Sequence, residues 1–138
     1  MAVGFKVKFY WYQVGTGDFF HAFFSTVAYN LENGVWGSCF PIIMNKLYQG
    51  KIENKDIDQA LEELKSIKKE LSQLDPDKVV WDIDDLTKQP PWGENISEDI
   101  SSLSNYFVTS EGNDFLTVFL HALKKAKEVG SDIEIKSV

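Results

Sequence analysis

The sequence predicts an α+β domain, with about four strands in one mixed or antiparallel sheet and the helices packed mainly on one face. Three observations carry this. Residues 3–14 alternate apolar and polar side chains, the period of a strand. Residues 19–31, 57–71 and 115–126 repeat apolar side chains at helical spacing. The order of elements (strand, helices, strand, irregular stretch, strand, helix, strand) lacks the regular βαβ spacing of a doubly wound sheet. The 138 residues fit a single domain, 1–138. A chain of that size buries about 68–70% of its unfolded surface and needs no disulfide or metal to hold it.

In order along the chain, Val3, Phe5, Val7, Phe9 and Trp11 fall on one side of the first strand, and Lys6, Lys8, Tyr10 and Tyr12 on the other. Gly15-Thr16-Gly17 breaks the strand, and Thr16 or Asp18 caps a helix. Phe19, Phe20, Phe23, Phe24, Val27, Ala28 and Leu31 form a stripe too wide for one shallow contact, which makes this the main core helix; Asn33-Gly34 ends it. Pro41 opens a short helix with Ile42, Ile43, Leu47 and Tyr48. Asp56 and Gln59 fit a capping box for the next helix, which buries Ile57, Ala60, Leu61, Leu64, Ile67 and Leu71. Its remaining face, Glu62, Glu63, Lys65, Lys68, Lys69 and Glu70, reads as solvated and of mixed charge, with no single-sign patch.

After a turn at Asp75-Pro76-Asp77, Val79–Ile83 reads as a strand. Ser97 is placed to cap a short helix holding Ile100 and Leu103, and Tyr106–Val108 reads as a short strand. Glu111-Gly112-Asn113 makes a turn and cap before a second core helix from Phe115 to Ala126, closed by Gly130. Ile133 and Ile135 suggest a final edge strand.

Composition narrows the function. All fourteen basic residues are lysine, so the bidentate arginine fork is missing. With a net charge of −7 and no basic cluster in the sequence, nucleic acid and anionic membranes are disfavoured as partners. A cationic protein is the natural partner for such a balance, against the plainer alternative of solubility alone. Cys39 stands alone, which excludes an internal disulfide and a cysteine zinc cluster. The start of the chain lacks the pattern of a signal peptide, and no run of eighteen apolar residues occurs, so a cytoplasmic protein is expected. His21 and His121 sit beside apolar stripes, where a histidine is more often packed than catalytic.

Charge is concentrated between Asp75 and Asp99. Eight acids against two lysines give this stretch −6 of the chain's −7. Within it, Val79–Thr87 (VVWDIDDLT) resembles the nucleophile strand of haloacid-dehalogenase-type phosphatases. The match fails because Leu86 stands where that motif needs Thr or Val, and too little chain follows to build the fold. Asp82, Asp84 and Asp85 have the chemistry to hold a hard cation, yet lack the glycine and final glutamate of a calcium loop. A small metal-dependent hydrolase on the Asp82–Asp85 cluster is therefore the alternative to a binding role, together with a housekeeping protein-binding domain. Gln89–Gly93 (QPPWG) is stiffened by two prolines. Trp92 then either anchors a partner or folds back to plug the sheet edge.

The opening VGFKVKFYWYQVGTGDFFHAFFSTVAYNLE, the WGS triplet and VVWDIDDLTKQPPWGENISEDISSLSNYFVTSEG together resemble the immunity protein 70 family of bacterial polymorphic toxin systems. The likeness covers nearly the whole chain, as one immunity-protein-like domain. It implies a small cytosolic α+β protein encoded beside a secreted or contact-delivered toxin, whose toxin domain it binds and blocks. It implies no enzyme activity, no catalytic residue and no cofactor. The acidic stretch then supplies the expected toxin-binding residues: Asp82, Asp84, Asp85, Trp92, Glu94, Glu98 and Asp99. A basic toxin such as a nuclease would suit them.

Overall fold

The computed structural model describes residues 2–137. Its first strand is a hairpin. β1 (Val3–Val7) pairs antiparallel with β2 (Tyr10–Gly15) across a two-residue turn, Lys8-Phe9, in which Lys8 takes φ 54°. Val7 lies opposite Tyr10. A two-residue turn keeps paired residues on the same face while changing their parity, so the uninterrupted alternation of the sequence misleads beyond Val7. Odd residues face the core in β1; Tyr12 and Val14 do so in β2. Phe9 sits at the tip, 88% exposed, and Trp11 lies on the outer face with Lys6. The Tyr12 carbonyl oxygen and the Trp11 ring crowd Gly4 so closely that no Cβ fits there.

The sheet is four-stranded and antiparallel, in the order β2-β1-β4-β3. β4 (Ile133–Ser137) is an inner strand, flanked by β1 and by the two-residue β3 (Lys51–Ile52), rather than the expected edge. Phe5 stands opposite both Tyr12 and Ile135, which defines the covered face. Two helices lie on it. α1 (Gly17–Leu31) starts at Thr16, whose Oγ1 accepts from the Phe19 N–H at 3.1 Å. α3 (Phe115–Val129) is capped by Asp114, not by the Glu111–Asn113 turn, and ends at Gly130 in the left-handed conformation, φ 66°. Rings fill the space between. The Phe115 ring centroid lies 4.8–6.1 Å from those of Phe5, Phe19, Phe20, Phe23 and Phe119.

α2 (Ile57–Leu71) packs on α3 and on a short π-helix, Ile42–Leu47. The expected capping box is absent: Asp56 pairs with Lys46 at 2.8 Å, and Gln59 donates to Glu63 at 3.1 Å. Glu63 is not on the solvated face. It is buried, and its carboxylate accepts from the backbone N–H groups of Ile42 (3.2 Å) and Ile43 (2.9 Å). Those are first-turn donors of the π-helix, which have no partner of their own. Glu32, also buried, does the same for the 33–40 loop, accepting from Gly37, Cys39 and Phe40.

From Val79 to Phe107 the described chain forms neither helix nor strand. The expected strand at Val79–Ile83, the helix after Ser97 and the strand at Tyr106–Val108 are all replaced by turns, except for one bridge between Val108 and Asp114. The Val79–Ile83 backbone has no strand beside it because side chains of α1 take its hydrogen bonds. Thr26 Oγ1 accepts from Val80 N–H at 3.0 Å and donates to Val80 C=O at 3.1 Å. Ser25 Oγ accepts from Ile83 N–H at 3.1 Å. The Asn30 amide donates to Lys78 C=O at 2.9 Å.

Phe115 is the ring through which the sheet and both core helices meet. Phe115→Ala is expected to lower unfolding free energy by about 3–5 kcal/mol, measured by urea denaturation. Glu63→Ala should cost about 1–3 kcal/mol by the same measurement, because it orphans two helix-start N–H groups. An exposed substitution such as Lys55→Ala should cost little.

Candidate functional site

The α1 hydrogen bonds to Val80 and Ile83 set the position of the next residues. Asp82 is turned back toward α1, where its Oδ1 lies 3.4 Å from His21 Nε2. His21 Nδ1 lies 2.9 Å from the Tyr48 hydroxyl. A carboxylate only accepts, so Nε2 carries the proton. In the neutral ring Nδ1 then accepts from the tyrosine hydroxyl. Trp36 and Tyr48 wall the imidazole, with ring centroids 6.1 and 5.9 Å away. Trp36 is itself held by a hydrogen bond from its Nε1 to Met44 C=O at 2.6 Å. His21 is therefore a member of an aromatic and acidic cluster. The sequence places it only beside an apolar stripe. Its partners come from segments 27 and 61 residues away, beyond the reach of local spacing.

Asp82 is neutralised from several directions. Asp84 N–H donates to it at 2.9 Å, and Lys88 Nζ lies 3.5 Å from its other oxygen. The backbone bond from Asp84, helped by His21 and Lys88, holds its carboxyl below the usual carboxylate range. Asp85 is lowered by hydrogen bonds from Thr87. Asp84 is exposed, and its side chain makes no ion pair among the described residues. His21, Asp82 and Asp84 each offer a ligand atom within 4.8 Å of the others, a set able to hold a divalent ion. Lys88 already supplies a counter-charge to Asp82 at 3.5 Å.

The remaining acids of the stretch stand apart from this cluster. Glu94 lines a cleft of about 300 Å³ together with Asp77, Pro90 and Tyr106. Asp99 borders a depression shared with Lys68 and Asp114. Glu98 is exposed. The seven expected residues thus form a string of stations along the irregular segment, not one focus. Trp92 lies between the stations. Its ring packs edge-on against Trp81 at 5.5 Å, and its Nε1–H donates to the Tyr106 hydroxyl at 2.8 Å. It is nevertheless 37% exposed, so it braces the segment while remaining partly open to solvent. Burial against these rings pushes the Tyr106 hydroxyl up.

Exposed carboxylates ride on a backbone tied to the core helix, beside a partly exposed indole. Among the described residues no helix is long and apolar enough to cross a membrane. The model of the family described as Immunity protein 70 matches residues 5–135 of the chain. No curated protein and no solved structure gives a significant match.

Thr26→Val keeps the shape of the side chain and removes both bonds to Val80. It is expected to cost about 1–3 kcal/mol in urea unfolding and to speed amide exchange at Val80 well before exchange in α3 accelerates. The Asp82 carboxyl is expected to titrate below the ordinary aspartate value by carbon-detected NMR, because of the Asp84 N–H, His21 and Lys88 contacts. Because its folded value is depressed, the stabilisation from its contacts is complete above the unfolded value and disappears only as pH falls through the folded one. A midpoint at or above the ordinary value would contradict the contacts described.

Proposed function

This chain belongs to the immunity protein 70 family, and from that premise we propose that it neutralises a cognate toxin domain by stoichiometric occlusion through the Val79–Phe107 segment. The observation that carries the reading is the pinned irregular segment itself, with Asp84, Glu94, Glu98 and Asp99 exposed along it and Trp92 partly exposed among them. Fixed carboxylates steer a cationic partner and speed encounter. A braced aromatic supplies an anchor that loses little freedom on binding. A basic toxin, such as a nuclease whose active site attracts phosphate, fits this charge. Asp82 and Asp85 belong to the same surface, but their first task is to shape it through the bonds to Asp84, His21 and Thr87.

Family membership implies a non-catalytic role. The hydrolase alternative keeps one specific support, the His21, Asp82 and Asp84 grouping. A divalent-ion titration followed by tryptophan fluorescence addresses it, since Trp36 stacks on His21. Saturable metal binding accompanied by phosphoester turnover would replace the present reading.

The deciding experiment is co-expression with the C-terminal domain of the neighbouring gene's product, tested as the toxin. Growth should be rescued only when this chain is present. Equal lethality with and without it would sink the proposal. For the interface, Asp84→Lys with Glu94→Lys should slow association about tenfold at low salt and flatten its salt dependence. An unchanged rate would remove the acidic segment from the mechanism while leaving neutralisation itself intact.

A further inference from the structure

α2 and α3 pack side by side and leave a groove of about 610 Å³ along their outer edge. Its floor is Leu61, Leu64, Leu116 and Leu120. Leu61 and Leu64 are three apart on α2, and Leu116 and Leu120 are four apart on α3, so each pair lines one face of its helix. Four lysines border the floor, Lys65, Lys68, Lys69 and Lys124, against a single acid, Glu62. Along the sequence, α2 presents these lysines interspersed with glutamates. Folding separates the charges by burying Glu63 and by bringing Lys124 across from α3. Elsewhere in the structure six lysines are joined to acids in ion pairs. None of the four at the groove is so joined among the described residues. A chain of net charge −7 thus carries an unneutralised cationic rim around an apolar trough.

We propose that this groove binds an amphipathic helix of a partner protein, one whose apolar stripe is flanked by glutamates or aspartates. Two parallel leucine rows on neighbouring helices form a seat into which a third helix lays its apolar stripe. The lysine stems extend the apolar walls while their ammonium groups reach the flanking carboxylates. The leucine floor and the absence of arginine favour such a surface over a phosphate backbone. The groove meets the acidic segment at Lys68, which also borders the depression holding Asp99. The two surfaces are contiguous but opposite in charge, so they fit different elements. This inference does not depend on which surface meets the toxin.

The test uses the whole protein and a labelled helical peptide carrying leucines at i, i+4 and i+7 flanked by glutamates. A control peptide carries lysines in place of the glutamates. Fluorescence anisotropy should show saturable binding of the glutamate peptide, weakening as salt rises from about 50 to about 300 mM, and none of the lysine peptide. Lys65→Glu, Lys69→Glu and Lys124→Glu together should weaken binding about tenfold or more. All three sites are exposed, and circular dichroism should match the parent. Leu120→Asn, at a partly exposed position, should weaken binding without altering its salt dependence. No saturable binding, equal binding of both peptides, or equal binding by the lysine variant would each overturn the proposal. So would sedimentation showing a dimer of the parent protein that the lysine variant loses, which would give the groove to a second copy. Dodecanoate binding in the groove with no peptide binding would give it to a fatty acid and overturn it equally.

Discussion

The double hydrogen bond between Thr26 and Val80 is the constraint on which the rest of the candidate surface depends. One hydroxyl satisfies both backbone groups of a buried residue that has no strand beside it. An unpaired buried N–H or C=O is costly, so the segment stays where that hydroxyl is. Ser25 and Asn30 extend the same seam in both directions. α1 therefore has two jobs on two faces. Its phenylalanines join the ring cluster around Phe115, and its polar residues hold the irregular segment. His21 lies on that same helix, and the segment's position brings Asp82 to it. This also explains a helix that is buried nearly all round: the sheet covers one side and a loop covers the other.

Such seams are poorly legible in a sequence. The three long helices and their core stripes are readable, because apolar spacing reports burial directly. The ends set by Thr16 and Gly130 are readable for the same local reason. Strands fare worse. Both the sequence and the structure give four, yet only the first and last segments coincide. Val79–Ile83 has strand composition, but a serine, a threonine and an asparagine on a helix outcompete any strand for its backbone. The hairpin within residues 3–14 hides because a two-residue turn, Lys8-Phe9, interrupts neither the alternation nor the hydrophobicity. β3 hides because it is two residues long. Glu63 looks solvated from its helical neighbours; only the position of the π-helix start makes it a buried acceptor. Membership of the family is carried by segments spread along nearly the whole chain, and so survives these local misreadings.

The candidate site was legible in its charge and not in its geometry. The acidic run between Asp75 and Asp99 is plain in the sequence. Its separation into the His21 cluster, the Glu94 cleft and the Asp99 depression is not, since each station is completed by distant residues. Trp92 does not plug the sheet edge; it packs on Trp81 and Tyr106, neither of which lies in a strand. The indole N–H is spent on Tyr106 and the ring packs at right angles to Trp81, while the residue stays 37% exposed. A side chain held that way loses little conformational freedom when a partner covers it, which is the property an anchor needs.

An irregular segment is a better carrier for this charge than the strand it resembles. In a strand, side chains alternate between faces, so in a run such as Asp82, Ile83, Asp84 and Asp85 the Asp85 carboxylate would be turned away from Asp82 and Asp84. Turns free each residue from that alternation. Here Asp82 is folded inward to brace the turn, and Asp84 is exposed and makes no ion pair among the described residues. The cost of an irregular backbone is its unpaired polar groups. The α1 side chains remove that cost where the segment is buried, and water removes it where the segment is exposed. Rigidity then comes from the helix and charge display from the turns, so a single surface can hold carboxylates in fixed positions without the like-charge crowding that a continuous acidic strand face would impose.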